Sequence, residues 1–412
     1  MTIDRRSLMT AAAAAPMTAL LPRLAGAQQG AINYWHHFTS ETEYRGLERV
    51  MALFKARYPG IAVTQENIPN PEYMSKVTTA VLSNSKPNAA MVVAERVKDM
   101  VAMGALVDLS PRVRAWDKAA IFPADRWLGT TVAEKIYGVP AFTFVDWMYY
   151  RKDWFDEAGV AVPRTYAEFL QAAIKLTDPA KQRFGFGLRG GAGGATFVVD
   201  AMESFGSPIV VGGRNAIDRA KAIEGVAFWS ELMTKHKVVP PSAPNDGYRQ
   251  LMEAFKIGQT AMVWHHTGSL TEIQAVLKPG QFLTATRPAG PGQNISRLTY
   301  LFNGVMNPQN ADAAWAWITF WADPEPAIAF LDATGYFPAS PQTASDQRIT
   351  GNPLYVAAVE TTRFGRLPNS FVGYAGWADN VVLPEFQKTL VGTSTPAAAV
   401  DAMMRGLDAA LK

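Results

Sequence analysis

Two spacings of apolar residues alternate along the first quarter of the chain. Short apolar runs at 31–35, 61–68 and 89–93 predict strands, and the stretches 40–54 and 73–82 between them carry apolar residues at helical spacing. The run at 89–93 is apolar throughout, which is typical of a strand buried on both faces of a parallel sheet. This order of strands and helices predicts a doubly wound α/β lobe.

A second alternation of helices and strands follows a long aromatic segment in the middle of the chain. The chain has 412 residues, which exceeds what one ordinary hydrophobic core organises. We therefore expect a second α/β lobe. Its predicted helices cover 165–176, 196–205, 216–236 and 248–256, and its predicted strands cover 184–188 and 260–264.

The first predicted helix begins with a capping box. Ser40 and Glu43 stand three positions apart, so each side chain can bond the backbone N–H of the other. In an open α/β sheet, ligands bind beyond the carboxyl ends of the strands. The sequence therefore places residues 36–41 and 94–96 at a crevice, beside the free backbone N–H groups of the helix end.

The first residues have the pattern of an export signal. The basic residues Arg5 and Arg6 precede an apolar run at 11–21, and residues 25–27 offer a small-x-small cleavage site. The apolar run is shorter than the about 20 residues that span a bilayer. We therefore expect residues 1–27 to be removed on export to the periplasm. The adjacent arginines favour the twin-arginine route, but Sec signals carry basic residues too, so both routes stay open.

Composition narrows the classes of function. A formal charge of +3 without a Lys/Arg cluster argues against a nucleic-acid partner. The chain has no cysteine, so we expect no disulfide, no catalytic thiol and no lipidated membrane anchor. Neither His-Glu-x-x-His nor Gly-x-Ser-x-Gly occurs, and the glycine-rich loop 189–194 lacks the Lys-Ser/Thr of a phosphate loop. We therefore expect no enzyme and no cofactor, although paired carboxylates for glycoside hydrolysis stay open because their separation is spatial.

The aromatic segment at 137–159 contains the most specific motif. Gly-Val-Pro at 138–140 is followed by Tyr-Tyr-Arg-Lys-Asp at 149–153 and by Asp-Glu-Ala-Gly at 156–159. This pattern resembles the crossover of maltose-binding-protein-like solute-binding proteins of ABC sugar importers, family 1. Further motifs occur in the family's order, so the resemblance extends over most of the chain. They are Pro-Ala-Gly-Pro-Gly at 288–292, the Ala-Ala-Trp helix at 310–321 and Thr-Gly-Tyr-Phe-Pro-Ala at 334–339.

The resemblance implies a two-lobed periplasmic-binding-protein fold of type II. Each lobe would be a doubly wound sheet flanked by helices. The lobes would meet at a multi-crossover hinge near 139–146, 284–298 and 335–340. The implied first lobe comprises 28–140 plus 290–335, and the implied second lobe comprises 141–289 plus 336–412.

The same resemblance implies the substrate-binding component of an ABC importer. Such a protein would be a monomer that binds a carbohydrate or polyol between its lobes and closes around it. It would then deliver the ligand to the transmembrane permease subunits with their cytoplasmic ATPase. Three alternatives stay open: a glycerol-phosphate-type or other small polar ligand, a sugar-processing enzyme, or a chemoreceptor partner that uses the fold without transport.

The candidate binding residues combine aromatic rings with polar groups. Rings cover the C–H side of a sugar or polyol, and directed polar groups bond its hydroxyls. Phe142 and Phe144 stand where relatives commonly carry polar residues, which predicts stacking on a less polar ligand face or hinge packing. Bulky Phe302 predicts a narrower pocket. The candidates are His37, Ser40, Glu41, Tyr73, Glu95, Arg96, Phe142, Phe144, Asp146, Phe197, Asp200, His265, His266, Phe302, Asn303, Tyr336 and Arg366.

Two Trp-His-His triplets end at His37 and His266, and each follows a predicted strand. Imidazole is a common transition-metal ligand. Adjacent residues on a strand point to opposite faces, however, so we expect at most one histidine of each pair in the cleft. We therefore expect these side chains to bond ligand hydroxyls and expect no bound metal.

Overall fold

The computed structural model describes residues 30–361 and 364–412. The predicted export signal at 1–27 lies outside the described residues. The apolar runs of the first lobe are strands, as predicted. The strands are β1 (Gly30–His36), β2 (Ile61–Asn67), β3 (Ala89–Val93), β4 (Thr131–Val132), β5 (Lys135–Ile136), β6 (Val139–Tyr150), β7 (Phe184–Gly187), β8 (Val210–Val211), β9 (Arg214–Asn215), β10 (Thr260–His266), β11 (Leu283–Ala285), β12 (Leu298–Val305) and β13 (Phe337–Pro338).

Helices of varied length surround these strands. Within the two described ranges, none is long and apolar enough to cross a membrane. The helices are α1 (Glu41–Arg57), α2 (Tyr73–Leu82), α3 (Ala94–Ala102), α4 (Ser110–Arg114), α5 (Ala124–Trp127), α6 (Lys152–Ala158), α7 (Tyr166–Leu176), α8 (Ala195–Ser204), α9 (Arg219–Thr234), α10 (Tyr248–Lys256), α11 (Leu270–Gln274), α12 (Ala311–Phe320), α13 (Pro324–Thr334), α14 (Pro341–Ala344), α15 (Gln347–Thr350), α16 (Val356–Thr361), α17 (Tyr374–Trp377), α18 (Leu383–Leu390) and α19 (Pro396–Ala410).

One long strand, β6, joins the two halves of the main sheet. The strand order is β2-β1-β3-β12-β6-β10-β7, and β11 and β13 pair with β6 beside this path. Residues 139–145 of β6 pair with β12, and residues 146–150 pair with β10. We call β1, β2, β3, β12 and β13 the first sheet, and β7, β10 and β11 the second sheet. The aromatic segment therefore belongs to both sheets in turn.

Both sheets are mixed, which corrects the expected doubly wound arrangement. β1 runs parallel to β2 and β3, as the alternation of strands and helices predicted. β12, however, is antiparallel to both β3 and β6, and β10 is antiparallel to β6. The reason lies in the path of the chain: β6 carries it from the first sheet to the second, and β12 carries it back. Neighbouring strands on such a path run in opposite directions.

The capping box that begins α1 is confirmed. The backbone N–H of Glu43 donates to the hydroxyl of Ser40 at 3.2 Å, and the backbone N–H of Ser40 donates to the Glu43 carboxylate at 2.8 Å. A cap of this kind contributes about 1 kcal/mol. Because β1 ends at His36, the carboxyl end of this strand and the amino end of α1 lie at the same edge of the first sheet.

Aromatic cores pack on both sides of β6. Beside the first sheet, Trp317 and Trp321 are buried and meet edge to face, with ring centroids 5.7 Å apart. Beside the second sheet, Trp229 and Trp264 meet edge to face at 5.1 Å. Such pairs add about 0.5–1.5 kcal/mol to the stabilisation from buried area. These cores fix the strand ends that meet at β6.

Candidate functional site

A cavity of about 240 Å³ lies where the carboxyl ends of β1 and β3 meet β6 and β10. Residues after the first-sheet strands and residues on the second-sheet side both contribute to its wall. The predicted crevice at the strand ends is therefore present. The candidate residues that line it are His37, Glu95, Arg96, Phe144, Asp146, Phe197, His265, His266 and Tyr336.

The other candidate residues do not line this cavity. Each of them packs or bonds elsewhere, for reasons that depend on its tertiary neighbours. These residues are Ser40, Glu41, Tyr73, Phe142, Asp200, Phe302, Asn303 and Arg366.

Phe142 belongs to the core of the first sheet. Its ring centroid lies 4.7 Å from that of Phe330 and 5.0 Å from that of Tyr336. Phe142 and Phe144 share a strand face, but these two rings cover Phe142 while Phe144 stays at the cavity. Of the two predicted roles, stacking on a ligand or packing at the hinge, the position of Phe142 favours packing.

Three further candidates support the cavity from behind. The hydroxyl of Tyr73 donates to the carbonyl oxygen of Met91 at 2.5 Å, so the polar tip of this residue is already bonded. The amide oxygen of Asn303 accepts from the buried hydroxyl of Tyr34 at 2.7 Å. Phe302 is fully buried and does not line the cavity itself.

The remaining surface and cap residues also have local roles. Ser40 caps α1, and Glu41 is exposed in the first turn of that helix. Arg366 is half-buried, donates to the amide oxygen of Gln293 at 2.6 Å and lies 3.9 Å from the carboxylate of Glu203. Of these three residues only Ser40 contacts a cavity-lining side chain, because it bonds Glu43.

Asp200 belongs to a buried cluster of two aspartates and two arginines. Arg297 contacts Asp146 at 2.5 Å and Asp200 at 3.3 Å, and Arg287 contacts Asp200 at 2.7 Å. Burial by itself lowers the pKa of Arg297, but the carboxylates of Asp146 and Asp200 outweigh it and raise the pKa above its ordinary value. The charges balance within the cluster, as buried charges require. Asp146 and Arg297 also line the cavity, so the cluster forms part of its wall.

Sequence reasoning missed several residues that line the cavity. Arg297 stands in the predicted crossover at 284–298. The sequence offered only indirect evidence for its position, because aspartates inside a protein require cationic partners. Arg189 stands in the glycine-rich loop 189–194, which lacks the residues of a phosphate loop, so the sequence predicts no binding role for it. Phe38 and Thr39 belong to the segment 36–41, which the sequence places at the crevice, but are not among the candidates. The other polar and aromatic lining residues that were missed are Glu43, Asn70, Arg189, Thr196, Tyr248, Arg297, Tyr374 and Asp379.

Histidines of both pairs line the cavity. His37 lines it, while His36 contacts Gln65 at 2.7 Å and does not, as strand alternation predicted. His265 and His266 both line it, with ring centroids 4.0 Å apart, so the expectation of one histidine per pair is wrong here. Both residues belong to β10, where His265 pairs with Trp147 and His266 with Asp146, and they are the last two residues of the strand before a 3-10 turn begins at Thr267.

The cavity histidines are held neutral. Burial, with a smaller effect from Arg96, lowers the pKa of His37 to about 3. Burial likewise lowers the pKa of His265 and of His266 well below the ordinary value, and Arg189 adds to the effect. A neutral imidazole offers one donor and one acceptor, which matches a hydroxyl group. In the part of the chain that the structure describes, no group of three acidic or histidine side chains is placed to hold a metal ion.

Several buried polar atoms of cavity residues have no hydrogen-bond partner among the described residues. They include Nδ1 of His37, Nδ1 of His266, Oε2 of Glu95 and Nη1 of Arg96. A buried polar atom without a partner costs about 1–3 kcal/mol. Burial also raises the pKa of Glu95. Both donors and acceptors are present in this set, so a ligand that carries hydroxyl groups can satisfy it.

Aromatic rings form the rest of the wall. Phe144 lies 4.5 Å from His266, and Tyr248 stacks on His265 at 4.6 Å with an interplanar angle of 24°. Phe197 lies under the guanidinium group of Arg297 at 4.7 Å. These rings offer apolar faces beside the polar atoms.

Charges of the two signs nearly balance around the cavity, which limits its attraction for a strongly charged ligand. The carboxyl groups are those of Glu43, Glu95, Asp146 and Asp379, and the guanidinium groups are those of Arg96, Arg189 and Arg297.

Known proteins share this sequence pattern and this fold. Residues 39–328 match the family model described as bacterial extracellular solute-binding protein. The erythritol/L-threitol-binding protein of Mycolicibacterium smegmatis is 26% identical over 296 residues, which cover 64% of this chain and 61% of that protein. Maltose-bound MalE3 of T. maritima has a TM-score of 0.84 at 20% identity, covering 92% of this chain and 98% of the other. A ribitol complex of a solute-binding protein from Agrobacterium radiobacter K84 has a TM-score of 0.82 at 20% identity, covering 93% and 99%.

These likenesses confirm the resemblance to maltose-binding-protein-like proteins. The solved structures show the fold alone, because ligands as different in size as maltose and ribitol occupy it. The family match extends over most of the chain and describes solute binding, a non-catalytic role, in agreement with the sequence-based expectation. The chain therefore belongs to the bacterial extracellular solute-binding protein family.

Proposed function

We propose that this chain is the periplasmic substrate-binding component of an ABC importer for a small, uncharged polyol or monosaccharide. The two lobes, 28–140 with 290–335 and 141–289 with 336–412, would close over the ligand by bending at the crossovers. The closed form would pass the ligand to the transmembrane permease subunits with their cytoplasmic ATPase. The protein would act as a monomer without a membrane anchor, cofactor or metal.

The pairing of unsatisfied polar atoms with aromatic faces carries this proposal. His37, Glu95, Arg96 and His266 contribute both donors and acceptors to one small cavity. Phe144 and its neighbouring rings supply apolar faces. A polyol or sugar presents the same combination, with hydroxyls on every carbon and C–H groups between them.

The charges of the cavity favour a neutral ligand over a phosphate ester. Arg297 is paired with Asp146, and the side chain of Arg189 donates to the carbonyl oxygen of Ala192 at 2.8 Å. Arg96 donates to the carbonyl oxygen of Asn70 at 3.1 Å. Recognition of a phosphate favours guanidinium groups that can approach it in bidentate fashion. Here each guanidinium group has at least one protein partner, although Nη1 of Arg96 has none, and the carboxyl groups of Glu43, Glu95, Asp146 and Asp379 line the same wall, where they would repel a phosphate.

The volume of the cavity supports a small ligand. About 240 Å³ lies below the range of about 300–1,000 Å³ that is typical of drug-sized ligand sites. Two of the similar proteins are named for, or solved with, linear polyols, namely erythritol or L-threitol and ribitol. A polyol of this size is therefore the first class of ligand to test.

Thermal unfolding with a ligand panel tests the proposal. The panel contains erythritol, L-threitol, ribitol, D-mannitol, D-tagatose, maltose and glycerol 3-phosphate, each added to purified mature protein. A ligand that binds only the folded state stabilises it by about 2.7 kcal/mol at a concentration of 100 times its Kd. We expect a rise in Tm with at least one neutral polyol or monosaccharide.

The panel also contains its own controls. Maltose reports on size and glycerol 3-phosphate reports on charge. A rise with glycerol 3-phosphate and none with the neutral compounds would overturn the proposed ligand class. Chromatography of the ligand after incubation distinguishes binding from turnover, since recovered cleavage products would overturn a purely binding role.

A further inference from the structure

Tyr336 and Gly268 approach each other more closely than a side chain at position 268 would allow. A Cβ atom built on Gly268 would lie 2.2 Å from Cε1 of Tyr336 and 2.4 Å from its Cζ. Real Cβ atoms essentially never come within 3.0 Å of another residue's heavy atom. The phenol ring therefore lies directly on the backbone of the turn that follows β10, on the second-sheet side.

The hydroxyl end of the same ring is held by the first-sheet side. It donates to Oε1 of Glu43 at 2.8 Å. The other carboxylate oxygen of Glu43 accepts from the backbone N–H groups of Thr39 and Ser40, each at 2.8 Å. The capping box that begins α1 thus also orients Tyr336.

Further rings pack around Tyr336. Phe330 is stacked on it with an interplanar angle of 12° and a centroid distance of 5.7 Å, and the ring of Phe142 lies at 5.0 Å. Both residues belong to the core beside the first sheet. Phe144 and His266, which line the cavity, lie at 5.7 and 5.3 Å. Only 5% of Tyr336 is exposed. The ring is therefore held between the core and the cavity.

We propose that Tyr336 sets the maximum length of the ligand by closing the cavity between Glu43 and Gly268. This inference rests on the proposed function. A ligand that extended past the ring toward the start of α1 would meet a wall that is held at both ends. A short polyol or a monosaccharide therefore fits, and a longer sugar is excluded. Removing the ring opens this end and frees Oε1 of Glu43, an acceptor for one more hydroxyl.

Calorimetric titration of Tyr336→Ala tests this role. Affinities for erythritol, ribitol, D-mannitol and maltose are measured with the mature wild type and the variant. The readout is the affinity for maltose, the longest of these ligands, divided by the affinity for erythritol, the shortest. We expect Tyr336→Ala to shift this ratio toward longer ligands by about tenfold or more, the scale of discrimination by one fitted methylene group.

Three further variants serve as controls and as a substitute in this test. Tyr336→Phe loses the hydroxyl but retains the ring, so its ratio is expected to stay near the wild-type value. Phe337→Ala removes the adjacent ring, which packs on Tyr355 at 4.8 Å outside the cavity, and is expected to leave the ratio unchanged. Tyr336→Leu retains apolar bulk in the core and is the variant to use if Tyr336→Ala does not fold.

The outcomes separate this inference from the proposed function. A shift toward longer ligands in Tyr336→Ala or Tyr336→Leu, and in neither control, supports it. Wild-type binding with an unchanged ratio in the folded variants overturns the role of Tyr336 and leaves the proposed function standing. Absence of wild-type binding to every polyol and sugar overturns both.

Discussion

Arg297 joins the cavity wall to the buried charge cluster, because it contacts both Asp146 and Asp200. Arg297→Met retains much of the side-chain volume but leaves two buried carboxylates with Arg287 as their remaining cation. Removing one partner of a buried ion pair typically costs about 3–5 kcal/mol. We expect the free energy of unfolding, measured by urea denaturation, to fall by about that amount.

A surface ion pair provides the control for this substitution. Arg219 contacts Asp401 at 2.6 Å, and both side chains are exposed to solvent. Exposed pairs contribute little because water and salt screen them. We expect Arg219→Met to keep a urea midpoint near that of the wild type. Equal losses in the two variants would contradict the stabilising role of the buried cluster.

Glu203 is the residue for which a pH dependence is expected near neutrality. Burial, reinforced by the charge of Asp200, raises its pKa from 4.5 to about 7. The folded state therefore holds this proton more tightly than the unfolded state does. Its stabilising contribution is complete below about pH 4.5 and is lost as the pH rises through 7. Glu203→Gln cannot ionise, so we expect it to gain stability relative to the wild type over this range.

Urea denaturation of both proteins at acidic, neutral and mildly alkaline pH measures this gain. The titration of all other groups affects both proteins equally, so it cancels in the difference between their free energies of unfolding. This matters because the cavity histidines act in the opposite sense: their pKa values are lowered, so their contribution is lost as the pH falls below about 6.5. A difference that stays constant with pH would contradict the raised pKa of Glu203.

Helix and strand periodicity predicted the elements best where local signals bounded them. The apolar run before His36 is β1, and the capping box of Ser40 begins α1. The direction of β12 could not be predicted in the same way. A strand has the same hydrophobic period whether it pairs parallel or antiparallel, and the partners of β12 stand far away along the chain. The mixed sheet therefore depends on tertiary pairing that local pattern does not encode.

Periodicity predicted correctly which chain segments reach the cavity. It was a poorer guide to which side chains of those segments face it. Phe142 and Phe144 share a strand face, yet Phe330 and Tyr336 from a distant segment pack Phe142 into the core, while Phe144, which also contacts Tyr336, lines the cavity. Arg297 reaches the wall because buried aspartates hold it there. Both outcomes depend on packing between distant segments, so residue-level assignment of the site required the folded structure.

Contacts far from β6 also connect the first-sheet side of the molecule to the second-sheet side. The carboxylate of Asp99 in α3 accepts from the backbone N–H of Gly373 at 2.5 Å, and Lys98 donates to the carbonyl oxygen of Ser370 at 2.6 Å. Tyr374, the first residue of α17, packs in the core of the second sheet and also lines the cavity. These bonds therefore hold the first-sheet side against the second-sheet side at the cavity.

Asp99→Ala removes one of these bonds and tests whether they favour the closed arrangement. The bond exists only while the two sides are together, so its loss favours their separation and lowers the population competent to hold a ligand. We expect ligand affinity to fall by about tenfold, equivalent to about 1.4 kcal/mol. We also expect a larger radius of gyration without ligand in small-angle X-ray scattering.

Asp108→Ala is the matched control for Asp99→Ala, because it removes the same charge from a residue whose contacts within the described ranges are local. Asp108 accepts from the hydroxyl of Ser110 at 2.6 Å and lies 3.6 Å from the ammonium group of Lys135. Asp108→Ala is expected to leave both ligand affinity and the scattering curve at wild-type values. A folded Asp99→Ala protein that matched this control in both measurements would remove the α3 contacts from closure. Closure would then depend on the ligand and on the crossovers at β6. There the buried ion pair of Asp146 and Arg297 joins the cavity wall to the strand that both sheets share.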